Sequence, residues 1–280
     1  MDRKILKAAE VLFELAYAED IGSGDITTNS IIQPAERKTA VFVAKENGVV
    51  AGLPVAEMVF RELDDTLEWN VKKQEGEKVQ KGEILVEFKA SYRALLTGER
   101  IALNFLQRLS GIATATHVFV NEVKDFQVQI LDTRKTLPGF RLLDKYAVKT
   151  GGATNHRMGL HDMVMIKDNH IQVAGGIKPA VEAVKMKMPV SIKIEVETTT
   201  LEEVRQALEA GADIIMLDNM TTEMMTEAVK LIGKRAKTEA SGNMSLERLR
   251  EVAATGVDFI SIGSLTHSVK ALDISQRIID

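Results

Sequence analysis

The stretch QILDTRKTLPGFRLLDKYAVKTGGATNHRMGLHDMVMIKDNH, residues 129–170, decides how the chain is read. A strand-like run over 128–131 ends in Asp132, Thr133, Arg134 and Lys135. A helical pattern starts at Phe140, and a glycine-containing loop then carries Asn155, His156, Arg157 and His161. A second apolar run, 163–166, ends in Lys167, Asp168, Asn169 and His170. One strand–helix–strand unit therefore delivers cations at both strand ends, with three of the five histidines in the chain. A structural core has no need of this concentration, whereas a site for a multiply anionic small molecule does.

Outward from that unit the alternation continues. Strand patterns fall near 191–197, 213–218, 237–241 and 258–263, and helices start near Lys178, Leu201, Thr222 and Leu246. Strands alternating with helices predict a parallel sheet with right-handed crossovers. Six strands are too few for a closed eight-stranded barrel, so the fold class is α/β with an open, incomplete β/α barrel; a doubly wound sheet is the alternative. The first 90 residues read as mixed α+β. An amphipathic helix over 5–16 precedes strands at 39–44 and 49–51, a helix from Pro54, and strands at 67–71 and 84–88 joined through EGEKVQKGE. Helices follow over 95–109 and after Gly111. The expected domains are 1–110, the barrel 111–267, and a tail, 268–280, that returns to the first domain as a strand.

The composition narrows the chemistry. The 280 residues carry a net charge of −4, so no global polycation exists to hold nucleic acid, and the cations of the central stretch are a local feature. There is no cysteine, which removes disulfides, thiolate metal sites and thiol nucleophiles and fits a cytoplasmic protein. The charged N-terminus does not read as a signal peptide, and no apolar run reaches the roughly 20 residues of a membrane helix.

Active sites of β/α barrels lie at the C-terminal ends of the strands. Here those ends read DTRK, IKDN, EVE, LDN, EASGN and IGS. In SIKIEVE the residues two apart share a face, so Lys193, Glu195 and Glu197 point together into the barrel. A buried Lys193–Glu195 ion pair is one reading, and Glu197, nearest the mouth, reads as functional. Asp218 ends an apolar strand and is either a functional acid or the cap of the next helix. The loops Ser241–Gly242–Asn243 and Ile262–Gly263–Ser264 follow the last two strands, where barrels often bind phosphate. Arg134, Lys135, His156, Arg157 and Lys167 form a cationic set suited to a dicarboxylate, with charge left for a phosphate. Arg141, Lys145 and Lys149 recur every four residues and read as one exposed helix face, and Arg100 as a mid-helix surface charge. Met186-Lys187-Met188 looks like a biotin-acceptor tripeptide, but it closes a helix far from the EGEKVQKGE hairpin.

With these residues placed, the chain resembles the quinolinate phosphoribosyltransferase family almost from end to end. The motifs are EDIGSGDITT (19–28), AGLP (51–54), TGERIALNFLQRLSGIAT from Thr97, LDTRKTLPGFR from Leu131, KYAVKTGGATNHRMGL from Lys145, IKDNH, IEVE, LDN, SGN and IGSLTHS. The resemblance implies an N-terminal α/β sandwich plus an open barrel. It also implies transfer of phosphoribose to quinolinate with decarboxylation in NAD biosynthesis, with Mg2+, in a homodimer of shared sites that possibly assembles to a hexamer. By the same resemblance, Arg134, His156, Arg157 and Lys167 clamp quinolinate, with Thr133 beside them, and Arg100 is lent by the neighbouring subunit. Lys135 touches both substrates, Glu197 and Asp218 hold ribose and metal, and Ser241–Asn243 and Ile262–Ser264 bind the 5′-phosphate. The competing enzyme class is a Schiff-base barrel using Lys167 or Lys193. Other rivals are a pyridine- or phosphoribosyl-sensing protein and a related transferase with a different acceptor.

Overall fold

The computed structural model describes residues 1–279. In chain order the elements begin with α1 (Arg3–Asp20), α2 (Ile26–Ile31), β1 (Arg37–Ala44), β2 (Gly48–Val49), α3 (Leu53–Leu63), β3 (Glu68–Val71), β4 (Lys78–Val79), β5 (Ile84–Ser91) and α4 (Tyr92–Glu122). They continue with β6 (Gln129–Leu131), α5 (Arg141–Thr150), β7 (Val164–Ile166), α6 (Asp168–Ala174), α7 (Ile177–Lys185), β8 (Ile194–Thr198) and α8 (Leu201–Glu209). The last are β9 (Ile214–Asp218), α9 (Thr222–Ile232), β10 (Lys237–Ser241), α10 (Leu246–Ala254), β11 (Phe259–Ser261), α11 (Ser264–His267) and β12 (Ile274–Ile278). Two compact units result. One holds residues 1–117, 136–152 and 265–280, and the other 118–135 and 153–264.

The first unit is built on an antiparallel sheet in the order β12-β1-β5-β3. β1 is central, and Ala40, Val41, Phe42, Val43 and Ala44 are all buried. Phe42 of β1, Trp69 of β3 and Phe88 of β5 meet Phe60 of α3, with ring centroids 4.9–6.3 Å apart, so one aromatic cluster fastens the helix to the sheet. α3 starts at Gly52, which has no capping side chain. The Glu75 carboxylate supplies the cap instead, accepting the N–H groups of Gly52 at 2.9 Å and Leu53 at 2.8 Å.

Two expectations for this unit need correction. The helices predicted on either side of Gly111 are one continuous helix of 31 residues, α4. Glycine is there for a close approach rather than a break: a Cβ would lie 2.1 Å from the Lys270 carbonyl oxygen. The crossing segment is tied to α4, since Leu272 N–H donates to Gln107 O at 2.9 Å and Gln107 Nε2 donates to Ile274 O at 2.7 Å. These bonds deliver β12 to β1. The face Arg141–Lys145–Lys149 is not uniformly exposed either: Lys145 is buried, at 1% exposure. The helix that carries it, α5, turns inward because Leu143, Asp144, Ala147 and Val148 also need covering.

The second unit is a six-stranded sheet in the order β6-β11-β10-β9-β8-β7, parallel throughout. The strands match the predicted β-branched runs within a few residues. Helices α7 to α10 read as predicted. α6 does not: Asp168 opens it, where the sequence reads only as a strand end, and the His170 ring accepts the Lys167 N–H at 3.0 Å to cap it. β6 and β7 are the two edges of the sheet. The free edge of β6 is partly covered by the loop that follows α5, because Thr154 N–H donates to Ile130 O at 2.9 Å. Among the described residues, no helix is long and apolar enough to cross a membrane.

Candidate active site

Parallel strands carry their C-terminal residues to one edge, and the charged residues singled out above gather there. Lys167 follows β7, Glu197 lies in β8 and Asp218 ends β9. Lys167 Nζ donates to Glu197 Oε2 in a short ion pair. Asp218 accepts from the Asn219 side chain at 2.8 Å. It does not cap α9; Thr221 does, accepting the Met224 N–H at 3.3 Å, so the acid at the strand end has no capping duty.

The two glycine loops adjoin this edge. Asn219 N–H donates to Ser241 O at 2.9 Å, and Asn243 Nδ2 donates to Asn219 Oδ1 at 3.2 Å. Asn219 and Asn243 hold positive φ of 53° and 50°. Gly242 has φ +91°, and a Cβ there would lie 2.2 Å from Asn219 Oδ1. Only glycine fits this turn. The loop 262–264 begins at Ile262, whose N–H donates to Leu131 O at 2.9 Å and so anchors it to the end of β6.

The cations come from the two segments that flank the sheet edges. Arg134 and Lys135 follow β6 and are exposed, and Lys135 N–H donates to Thr133 Oγ1 at 3.1 Å. Arg157 is half-buried. Its Nη1 donates to Met163 O at 3.2 Å on the β7 side of the gap. Burial pushes the Arg157 guanidinium down from its usual range, and the charge of Arg134 pushes it further, partly offset by Glu195 and Asp162. A cleft of about 440 Å³ runs along this loop, lined by Asn155, His156, Arg157, Met158, Asp162, Met163, Ser191 and Lys193. Ser191 and Lys193 precede β8, so the cleft lies toward the opposite strand ends from Glu197 and Asp218. The acids, the glycine loops and Lys167 mark the C-terminal edge as the place of chemistry.

Beneath the loop is a cluster that the sequence reading only half found. Glu195 is completely buried and faces inward as alternation predicted, but its partner is not Lys193. His156 Nε2 lies 3.2 Å from Glu195 Oε2 and 3.3 Å from Glu239 Oε2. Glu239 is also fully buried, and its other oxygen accepts the Ser261 hydroxyl in a short bond. Burial disfavours the charged ring, yet the two carboxylates outweigh it and raise His156 to about 9. Burial and Glu239 raise Glu195 to about 7 against the pull of His156. Both shifts say that the cluster binds protons more tightly than its members would alone.

His156, Glu195 and Glu239 have the residue types of a metal site, and their ligand atoms all lie within 4.8 Å of one another. Raised to about 9, the His156 ring keeps a proton on Nε2, the atom a metal would need. Glu197 and Asp218 suit Mg2+ better. They offer hard oxygen ligands on adjacent strands, and Mg2+ commonly binds through one or two carboxylates plus substrate phosphates.

Of the predicted residues, Thr133, Arg134, Lys135, His156, Arg157, Lys167, Glu197, Asp218, 241–243 and 262–264 fall in the second unit. Arg100 belongs to the first, on α4, with its side chain 60% exposed and 3.9 Å from Glu99.

The chain matches known proteins along nearly its whole length. The model of the quinolinate phosphoribosyl transferase N-terminal domain matches residues 25–110, and that of the C-terminal domain matches 112–277. The chain is 48% identical over 266 residues to a probable nicotinate-nucleotide pyrophosphorylase [carboxylating] of Synechocystis, covering 94% of this chain and 90% of the relative. It is 46% identical over 288 residues to a mitochondrial quinolinate phosphoribosyltransferase [decarboxylating] of Nicotiana glauca, covering 95% of this chain and 81% of that protein. Among solved structures, NadC from Streptococcus pyogenes superposes with a TM-score of 0.93 at 39% identity over 97% of both chains.

Proposed function

Because the chain belongs to the quinolinate phosphoribosyltransferase family, we infer that it transfers the phosphoribosyl group of phosphoribosyl pyrophosphate to quinolinate. The products are nicotinate mononucleotide, CO2 and pyrophosphate, in the synthesis of NAD. The observation that carries this reading is the contact of Lys167 with Glu197 at the C-terminal strand ends, where one member of the cationic set meets one of the acidic set. A dicarboxylate needs the first set, and a ribose with a departing pyrophosphate needs the second.

In the mechanism these parts support, Arg134, Arg157 and Lys167 bind the quinolinate carboxylates and place the ring nitrogen against C1 of the ribose, with His156 in the same loop. Orientation of this kind replaces a bimolecular search. The bond from C1 to pyrophosphate breaks, and Glu197 and Asp218 stabilise the positive charge that develops at C1 and hold the ribose hydroxyls. The ring nitrogen forms the new bond to C1. The 2-carboxylate then leaves as CO2, and a proton takes its place on the ring carbon. Lys135 lies between the two substrates, and the loops 241–243 and 262–264 hold the 5′-phosphate. Bound Mg2+ would neutralise the leaving pyrophosphate.

The partner subunit is the remaining element. Arg100 stands on the surface of the first unit, which suits a residue lent across a homodimer, with a hexamer of such dimers as a further possible assembly. The cysteine-free chain suits the reducing cytoplasm.

The test of the reaction is product analysis with quinolinate and with nicotinate offered separately beside phosphoribosyl pyrophosphate and Mg2+. CO2 and nicotinate mononucleotide from quinolinate alone are expected; turnover of nicotinate would move the chain to a related transferase. Mixing Arg100→Ala with Lys135→Ala chains tests the shared site, and activity regained in verified hybrids is expected.

A further inference from the structure

The His156 ring is held by the chain itself. Its Nε2 lies 3.2 Å from Glu195 Oε2 and 3.3 Å from Glu239 Oε2, and its Nδ1 lies 2.7 Å from the Arg157 backbone nitrogen. The His156 N–H donates to Asp132 Oδ1 at 2.9 Å, and Asp132 Oδ2 accepts from Asn155 Nδ2 at 2.7 Å. Asp132, Glu195 and Glu239 are completely buried, and Ser261, which donates to Glu239, is 6% exposed. They come from β8, β10, β11 and the end of β6. Four strands thus grip one loop residue, whose neighbour is Arg157.

That grip has a physical reason. A loop free to relax would let the Arg157 guanidinium wander, and the ligand would have to restore its place at a cost in affinity. Two buried carboxylates on Nε2 fix the ring, and the ring fixes the Arg157 backbone. Arg157 Nη1 on Met163 O then fixes the guanidinium at its far end.

We propose that Glu195 and Glu239 are positioning residues for quinolinate: they hold the His156 ring through Nε2, and His156 in turn fixes the loop that carries Arg157. The proposal rests on the reading of Arg157 as a carboxylate ligand. It gives His156 a role through Arg157, since its Nε2 faces Glu195 and Glu239.

The experiment is a mutant cycle on the full chain, with quinolinate binding read by calorimetry and both Michaelis constants by steady-state kinetics. Glu239→Ala is expected to weaken quinolinate about tenfold. The KM for phosphoribosyl pyrophosphate should move less than about twofold. In a His156→Ala background, adding Glu239→Ala should change quinolinate binding no further, because the path runs through the missing ring. A purely structural role would instead give equal losses for both substrates, or losses that add in the double variant, and either result overturns the proposal. Glu239→Gln keeps the side-chain shape should the alanine variant fail to fold. Unchanged quinolinate binding in Arg157→Ala would remove the premise. Weakened binding there with none in Glu239→Ala would overturn the positioning role alone.

Discussion

Lys167, at the end of β7, neutralises Glu197 of the neighbouring strand in the ligand-free protein. Each is assigned above to a different substrate. On that assignment a dicarboxylate that engages Lys167 would release Glu197 for the ribose and link the two substrates through one ion pair.

The linkage predicts a coupling free energy. A dicarboxylate without the ring nitrogen, such as phthalate, should tighten the binding of phosphoribosyl pyrophosphate and Mg2+ by roughly five- to tenfold without reacting. In Lys167→Ala the ion pair is gone and the coupling should fall to near unity. Calorimetric titration with and without phthalate measures both. Equal affinities in the wild type would show that the contact couples nothing.

Gly242→Ala should damage the loop proposed to hold the 5′-phosphate. Its Cβ would collide with the Asn219 side chain at a φ of +91°, in a turn that also depends on Asn243. Strain of this kind costs about 1–3 kcal/mol. The expected result is a higher KM for phosphoribosyl pyrophosphate with quinolinate binding retained. A variant with wild-type kinetics would argue that the loop binds no phosphate.

Arg108 and Asp144 pair in the first unit with bonds of 3.0 and 2.8 Å, and Asp144 is completely buried. Burial pushes the Asp144 carboxyl up, and Arg108 pulls it back. Arg108→Ala leaves the acid without that partner and should cost about 3–5 kcal/mol of stability. Urea unfolding checks this, and a loss below about 1 kcal/mol would mean that water or another group replaces the guanidinium.

The buried cluster sets the pH dependence of stability. Glu195 rises from 4.5 to about 7 and His156 from 6.5 to about 9 in the folded protein. The native state therefore binds more protons than the unfolded chain across this range. The stabilisation is present at the acid end and is lost as pH rises through the folded values. His117, held below its usual value mainly by burial, works in the opposite direction as pH falls through 6.5. The Tm of the wild type minus that of Glu195→Gln should thus decline between roughly pH 5 and 9. A constant difference would show that Glu195 titrates alike in both states.

The strand ends were legible because short β-branched runs between helical patterns leave little choice of where each strand stops. Their chemistry was legible from residue types alone. Glu239 was missed although the same alternation marks it: Lys237, Glu239 and Ser241 share a face in KTEAS as Lys193, Glu195 and Glu197 do in KIEVE. The partner of Glu195 was not legible, because His156 arrives from a loop 39 residues upstream, and periodicity says nothing about such contacts. Gly111 misled for a related reason. Its low helix propensity is outweighed by a chain crossing more than 150 residues away in sequence, which no local rule anticipates.

That crossing delivers β12 to the edge of β1, and it sets an order of events during synthesis. The strand that covers Val41 and Phe42 leaves the ribosome only with residues 274–278, long after the rest of its sheet. The parallel sheet of the second unit is complete by residue 261. The sheet that the chain begins first thus receives its last strand after the other sheet has all of its strands, and until then β1 has an unpaired edge.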